Sequence, residues 1–162
     1  MKLITEFLYL VFLLLFTSPR HYKILEKKGF RYFPIRGRFM MWCGCLIYRD
    51  NFEPWYKDKD AWMMLNIRLY QARAHSCYWP FFYIRFWFDI LVGSFFCGSW
   101  KGGYYTSPYI MEEYVKEDNQ YYTSDYDKEK IKKYCFSYPD RAILWKMVSG
   151  NVEKWLKHIK EI

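Results

Sequence analysis

Residues 78–100 read YWPFFYIRFWFDILVGSFFCGSW and form the longest apolar stretch of the chain. The stretch is long enough to cross a membrane, which takes about 20 residues. Arg85 and Asp89 lie near its middle, however, and each costs about 2.5–3.5 kcal/mol on the membrane-insertion scale, whereas each apolar residue returns only about 0.3–0.6 kcal/mol. The balance is unfavourable or near zero, so the stretch is predicted to be a helix buried in protein rather than a lone membrane span.

The predicted helix covers residues 80–96, because Pro80 suits a first helical turn, where its missing N–H has no partner to lose. Arg85 and Asp89 are four residues apart and are expected to form a buried ion pair. The remaining faces are apolar all round, and such a helix must be buried by its own chain or by another. One face carries Phe81, Ile84, Phe88, Leu91 and Phe95, and another carries Phe82, Phe86, Trp87 and Ile90.

This stretch sets the predicted fold class, which is mainly α. We expect an irregular multi-helix domain around the buried aromatic helix at about residues 78–97, with room for a small β-hairpin near residues 30–48. Aromatic and basic residues alternate from Phe30 and indicate one strand, and the apolar segment 39–48 indicates a second. Further helices are predicted over residues 19–28, 61–74, 108–118, 124–136 and 139–148 and from residue 152 onwards, with a glycine-rich break at 98–103.

The composition divides the chain into three segments: an N-terminal apolar helix or anchor (1–17), a basic, aromatic segment with the hairpin (18–49), and a helical domain (50–162). The apolar run at residues 3–16 is short for a membrane span and typical of a signal peptide or a buried helix. It lacks an A-x-A-like cleavage site, while the cations that follow it suit an uncleaved anchor. Signal, anchor and docked helix all remain open, and the docked helix is preferred.

Positive charge is concentrated near the N-terminus. The net charge is +8, and residues 1–60, with 11 Lys and Arg against 6 Asp and Glu, carry five of these charges. Cations that alternate with aromatic rings can hold phosphates and stack bases, although no nucleic-acid-binding motif accompanies them. We therefore predict contact with an acidic protein, lipid or nucleic acid. The candidate residues are Arg20, Lys23, Lys27, Lys28, Arg31, Arg36 and Arg38.

Cysteine usage argues for free thiols. Five cysteines, an odd number, cannot form a complete set of internal disulfides. The candidate ligands for a metal site are Cys43, Cys45, His75 and Cys77, and the case for them is weak. One residue separates the two ligands of each pair, whereas about two to four residues usually separate structural zinc ligands. A nucleophilic pair of His75 and Cys77 would need an orienting third group and an oxyanion site, and neither is visible. No metal or other cofactor is expected.

The sequence carries no recognisable catalytic motif: GxxxxGK[ST], GxGxxG, HExxH and GxSxG do not occur. Aromatic residues make up 24% of the chain, and Tyr and Trp are favoured at interfaces. We therefore predict a non-enzymatic structural subunit of a large multi-protein assembly, present in multiple copies. The assembly we expect first is a virus particle, in which the chain would be, for example, a bacteriophage portal, tail or capsid connector protein. The protein would then be found in the virion or in the host cytoplasm. The alternative is a membrane-associated protein anchored by residues 3–16.

Overall fold

The structure is a computed structural model, and it describes residues 2–20, 25–28, 39–48, 59–75, 78–119 and 121–162. These residues form seven α-helices, one short 3-10 helix and one small sheet, which confirms the predicted fold class. The chain divides into two compact units, Met1–Phe82 and Tyr83–Ile162. The helix at Lys59–His75 contacts the sheet of the first unit, and the predicted three-segment division with a boundary at residue 50 stays a prediction.

The first unit begins with helix α1 (Lys2–Phe16). Leu10 and Leu13 are buried and fix its inner side. The indole Nε1 of Trp42 donates a hydrogen bond of 2.9 Å to the carbonyl of Leu10, and the hydroxyl of Tyr78 donates one of 3.2 Å to the carbonyl of Leu15. These bonds tie the helix to the sheet and to the end of the unit.

The sheet has the strand order β1–β3–β2, with β1 at Leu25–Lys28, β2 at Phe39–Trp42 and β3 at Cys45–Tyr48. Strands β2 and β3 are antiparallel, and β1 lies parallel to β3. Cys43 and Gly44 connect β2 to β3 with φ of 48° and 73°, as two-residue hairpin turns require.

Two details of the sequence-based prediction are corrected here. Residues 39–48 form both strands of the hairpin rather than one strand, because the turn falls at Cys43 and Gly44. Residues 25–28, predicted as the end of a helix, are strand β1, since the backbone pairs with β3 instead of continuing helical bonds. The strand predicted from Phe30 lies outside the described residues.

Helix α2 (Lys59–His75) completes the first unit. It contacts β3, and its buried side chains include Leu65, Ile67 and Ala72. Near its end, the Nε of Arg73 donates to the carbonyl of Pro19. The helix therefore packs against the sheet through β3.

The second unit contains most of α3 (Trp79–Cys97) and four further helices. These are α4 (Trp100–Tyr105), α5 (Pro108–Lys116), α6 (Tyr138–Met147) and α7 (Val152–Glu161), with a 3-10 helix at Lys130–Tyr134. The helix predicted over 124–136 is thus reduced to that 3-10 helix, and α4 occupies the predicted break at 98–103. Ser99, Ser137 and Asn151 cap α4, α6 and α7 by accepting backbone N–H groups.

Aromatic side chains from several helices form the core of the second unit. Trp145 and Trp155 meet edge to face with ring centroids 6.2 Å apart, and Met111, Tyr134 and Ile159 pack with them. The indole N–H of Trp155 is satisfied by the carbonyl of Tyr105 at 2.7 Å. The amphipathic pattern of the last helix correctly predicts that Trp155 and Ile159 face this core.

Candidate interaction surface

Helix α3 has one face that packs against its own unit. Tyr83, Phe86, Ile90, Gly93 and Cys97 are buried. The ring of Phe86 lies 5.6 Å from that of Tyr109 on α5. A Cβ on Gly93 would lie 3.3 Å from the Cα of Gly103 on α4, so the two helices meet at their backbones. We call this side the inner α3 face.

Asp89 anchors the inner α3 face through an ion pair with Arg141 of α6. The Nη1 and Nη2 of Arg141 donate to the two carboxylate oxygens of Asp89 at 2.8 and 3.2 Å. Its Nε donates to Thr106 at 3.2 Å, and its side chain is only 2% exposed. The hydroxyl of Tyr138 also donates to Asp89, at 3.3 Å. Charge and hydrogen bonding are therefore satisfied inside the unit.

This arrangement corrects the predicted buried pair of Arg85 and Asp89. Arg85 is exposed, and the buried cation that meets Asp89 comes from α6 instead. The i,i+4 spacing allowed a local pair, but Asp89 lies on the edge that α6 covers. No signal in the sequence singles out Arg141, which is separated from Asp89 by 52 residues.

The opposite side of α3 is apolar and exposed. Ile84, Phe88, Leu91 and Phe95 expose 67%, 62%, 61% and 83% of their surfaces. We call these four residues the outer α3 face. Phe81, one turn earlier on the same helix, is also exposed. The sequence predicts that this face is buried by its own chain or by another, and the part of its own chain that the structure describes leaves it exposed.

Further aromatic rings border the outer α3 face. Trp87 stacks on Trp100 of α4, with ring centroids 6.1 Å apart and an angle of 16° between the planes. Phe96 stacks in the same way on Tyr138 of α6, at 5.6 Å and 17°. Trp87, Phe96 and Trp100 are each more than 40% exposed. Contiguous apolar patches of this kind mark interaction sites, and here the rings are already held in place.

Helix α1 also presents an exposed apolar side, in the first unit. Its members expose 44–73% of their surfaces and together form what we call the outer α1 face; they are Leu3, Ile4, Phe7, Leu8, Phe12, Leu15 and Phe16. The helix has 15 residues, so it is about 22 Å long, which is shorter than the roughly 30 Å of a bilayer core. Helix α3 is long and apolar enough to cross a membrane, judged by length and composition alone.

The basic segment predicted to contact a partner is described only in part. Arg20 is exposed, and its backbone N–H donates to the hydroxyl of Ser18 at 3.3 Å. Lys27 and Lys28 belong to β1. Lys23, Arg31, Arg36 and Arg38 lie outside the described residues, so a contact through this segment stays a prediction.

The candidate metal ligands are divided between the sheet and α2. Cys43 and Cys45 are buried at the hairpin and are not joined in a disulfide, and burial together with the neighbouring Cys45 raises the pKa of Cys43 well above its usual value. A raised pKa opposes the thiolate form that zinc requires. His75 ends α2, and Cys77 lies outside the described residues. The part of the chain that the structure describes holds no group of three metal-binding side chains.

A polar cluster around Glu112 was not apparent from the sequence. Glu112 is fully buried and accepts hydrogen bonds from the hydroxyls of Tyr122 and Tyr126 at 2.6 and 2.9 Å. Lys116 and Lys130 lie over the ring of Tyr122, 5.4 and 5.1 Å from its centroid. Burial and the bond to Glu112 raise the pKa of Tyr122. The cluster therefore ties the segment after α5 to that helix through the buried carboxylate of Glu112.

No protein family, no curated protein and no solved structure matches this chain. The candidate surface must therefore be interpreted from its own residues.

Proposed function

We propose that this protein is a non-enzymatic structural subunit of a large multi-protein assembly. The observation that carries the proposal is the outer α3 face, where four large apolar side chains are each more than 60% exposed. Leaving such a surface in water is costly, at about 25 cal/mol per Å² of apolar area. A protein partner that covers it recovers this free energy.

The packing on the inner α3 face favours a protein partner for the outer α3 face over a position in which α3 crosses a membrane. Helices α4 and α6 pack beside α3 through Gly103 and Arg141. They carry Lys101 and Lys146, which are exposed. If α3 crossed a bilayer, these charged side chains would enter or approach the hydrocarbon, where each costs several kcal/mol. The outer α3 face therefore fits a protein interface better than a lipid-facing span.

Rigidity also supports an interface. The Asp89–Arg141 pair, the stacked rings and the backbone contact between α3 and α4 hold the outer α3 face in one conformation. A surface that is ordered before binding loses less conformational entropy on association. The choice of a virus particle as the assembly stays a prediction.

The proposal is tested on the full chain, tagged and purified without detergent from the cells that produce it. We expect recovery in a particle much heavier than the 20.2 kDa of one chain, with a fixed ratio of components by native mass spectrometry. A Phe88→Glu chain should be lost from the particle, whereas Ile143→Glu, at an exposed apolar position of α6, should remain. Recovery of the parent chain as a monomer would contradict the proposal.

The outer α1 face favours a second candidate function, association with a membrane surface through α1. A helix too short to span a bilayer can lie in the interface with its apolar side buried about 5–10 Å. The purified chain should then float with anionic lipid vesicles in a density gradient. Phe12→Glu should abolish flotation, and Ser18→Glu, just beyond the helix, should reduce it far less. Equal flotation of all three chains would rule this function out.

A further inference from the structure

We infer that the outer α3 face pairs with the outer α3 face of a second copy of this chain, with the two helices antiparallel. The inference rests on the proposed function, since it names the partner that covers the same surface. It is carried by the spacing, the size and the charge of the side chains on that face.

The spacing is that of a coiled-coil seam. Phe88 and Phe95 are seven residues apart, as are Ile84 and Leu91, and the four alternate at intervals of four, three and four residues. In heptad terms the phenylalanines occupy a positions and the aliphatic residues occupy d positions, a pattern that two helices bury by mutual packing. Phe81 continues the same spacing toward the start of α3.

The seam is separate from the face that α3 already uses. The inner α3 face consists of Tyr83, Phe86, Ile90, Gly93 and Cys97, which fall on the c and f positions of the same heptads. A second helix can therefore occupy the seam while the packing of α3 against its own unit stays unchanged. The side chains at the a and d positions stay exposed in the part of the chain that the structure describes.

The side chains of the seam are complementary to a reversed copy of themselves. In an antiparallel pair, Ile84 faces Phe95 of the second copy and Phe88 faces Leu91 of the second copy. Each layer then joins one phenylalanine to one aliphatic side chain, so the helices can stay at a constant distance. A parallel pair would stack Phe on Phe and Leu on Leu in alternate layers of unequal width. The antiparallel pair also closes with two-fold symmetry, the commonest form of homo-oligomer.

The exposed area suits a stable dimer. Phe88, Phe95, Trp87 and Trp100 expose between 43% and 83% of their surfaces, which amounts to roughly 400–600 Å² when an aromatic side chain has about 150–250 Å². Ile84 and Leu91 add further area. The total falls within the approximately 600–1,000 Å² per partner that specific interfaces bury.

Charge does not oppose the pairing. The seam itself is uncharged, and Asp89 is engaged with Arg141 on the other side of the helix. Arg85, which is exposed, stands beside the seam at an e position, where long charged side chains are usual in coiled coils. Two copies can therefore meet without burying a charge.

The test measures the mass of the purified full chain by light scattering, with circular dichroism as a check of folding. We expect the parent chain to have twice the 20.2 kDa of one chain, or an even multiple of it. Leu91→Glu should halve that mass, whereas Ile143→Glu, which makes the same kind of change on exposed α6, should leave it unaltered. A folded Leu91→Glu chain of unchanged mass would overturn the inference.

Orientation is tested by mixing two chains that are each monomeric. Phe88→Lys and Leu91→Glu place opposite charges in one layer only if the helices are antiparallel, so an equimolar mixture should regain the mass of a dimer. Failure of the mixture to associate would overturn the antiparallel arrangement.

Failure of this inference is distinguishable from failure of the proposed function. A parent chain that is monomeric alone but present in a heavy native particle overturns the pairing and leaves the proposed function intact. A pure dimer that enters no larger particle supports the pairing and contradicts the proposed function. A monomer whose binding to neutral vesicles is lost in Leu91→Glu overturns the pairing in favour of lipid.

Discussion

At the scale of single residues, Arg141 determines how α3 is held. Its guanidinium meets the Asp89 carboxylate, the Thr106 hydroxyl and the Gly103 carbonyl, and its position over the Tyr138 ring, 4.9 Å from the centroid, adds a cation–π contact. One side chain thus contacts four groups, which lie on α3, on α4, at the C-terminal end of α4 and on α6. The outer α3 face owes its fixed orientation to these contacts.

Arg141→Met should destabilise the protein strongly, because it leaves the carboxylate of Asp89 largely buried without its cation. Removing one partner of a buried pair costs about 3–5 kcal/mol. Because the side chain of Asp89 is 17% exposed, we expect a loss at the lower end of this range, about 3 kcal/mol. Arg85→Met is the matched control and should change stability by less than about 0.5 kcal/mol. Urea unfolding of both variants measures the difference, and equal losses would contradict the assignment of Arg141.

Two buried tyrosines near Glu112 should respond in opposite ways to removal of the hydroxyl. Tyr122→Phe loses a hydrogen bond to Glu112, and bonds to charged groups contribute about 1.5–3 kcal/mol. The hydroxyl of Tyr134 is buried and has no hydrogen-bond partner among the described residues, so Tyr134→Phe should be neutral or stabilising by up to about 1 kcal/mol. Thermal unfolding of the two variants compares them, and a larger loss in Tyr134→Phe would disprove this account.

The same environment makes stability depend on pH in the alkaline range. Burial, together with the charge of Glu112, raises the pKa of Tyr134 to about 12, whereas the unfolded chain titrates near the usual value of about 10. Below pH 10 both states hold the proton, so this group does not make the free energy of unfolding depend on pH. As the pH rises from 10 to 12, the free energy of unfolding falls, because the unfolded state ionises first.

The free energy of unfolding should therefore decrease over that pH range, and the decrease should be smaller in Tyr134→Phe. Tyr121→Phe, at a position that is 81% exposed, serves as the control and should follow the parent chain. Urea unfolding at several pH values measures the slope. Identical slopes in the parent chain and Tyr134→Phe would refute the assigned titration.

At the scale of elements, the sequence predicts what periodicity and capping specify. The starts of α5, α6 and α7 follow from Pro108, Pro139 and the cap at Asn151, and the structure places each start within one residue of the predicted position. Helix α4 was missed because Gly102 and Gly103 look like a break. They are helical because their lack of side chains lets α4 approach α3.

The candidate surface was predicted in position but not in environment. The sequence places Ile84, Phe88, Leu91 and Phe95 on one face of a helix, and this is confirmed by their common exposure. Whether their own chain buries these side chains could not be predicted, since hydrophobicity indicates that a face is buried but does not indicate which chain buries it. The partner of Asp89 could not be predicted either, because a contact between α3 and α6, which are distant in the sequence, produces no local sequence pattern.

Gly103→Ala should disrupt the contact between α3 and α4. The added Cβ would overlap the backbone nitrogen and the Oγ of Ser94 and would lie 2.5 Å from the carbonyl oxygen of Ile90. The backbone atoms of α3 cannot move aside without disturbing its helical hydrogen bonds, so the expected loss is about 1–3 kcal/mol or more. Lys101→Ala, on the exposed side of the same helix, should be nearly neutral. Chemical denaturation compares the two variants, and a neutral Gly103→Ala would show that α4 does not pack so closely.

At the scale of the whole molecule, each unit combines an interior of its own with an exposed apolar helix face. The first unit presents the outer α1 face and the second presents the outer α3 face. The buried side chains that stabilise each unit and the exposed apolar side chains thus lie on different sides of the same helices. Substitutions on the outer faces should change association while leaving the free energy of unfolding nearly constant, because exposed side chains contribute little to folding.

The two outer faces should therefore respond to two different measurements. Phe12→Glu on α1 should reduce vesicle flotation without halving the mass of the purified chain, and Leu91→Glu on α3 should halve the mass without reducing flotation. The reason is that a helix too short to span a bilayer binds its surface by inserting an apolar side, whereas a heptad seam is buried by another helix. Each variant is the control for the other in light scattering and density-gradient flotation. If Phe12→Glu and Leu91→Glu each impaired both properties, one binding event would underlie the two faces, and the separate roles given to α1 and α3 would be wrong.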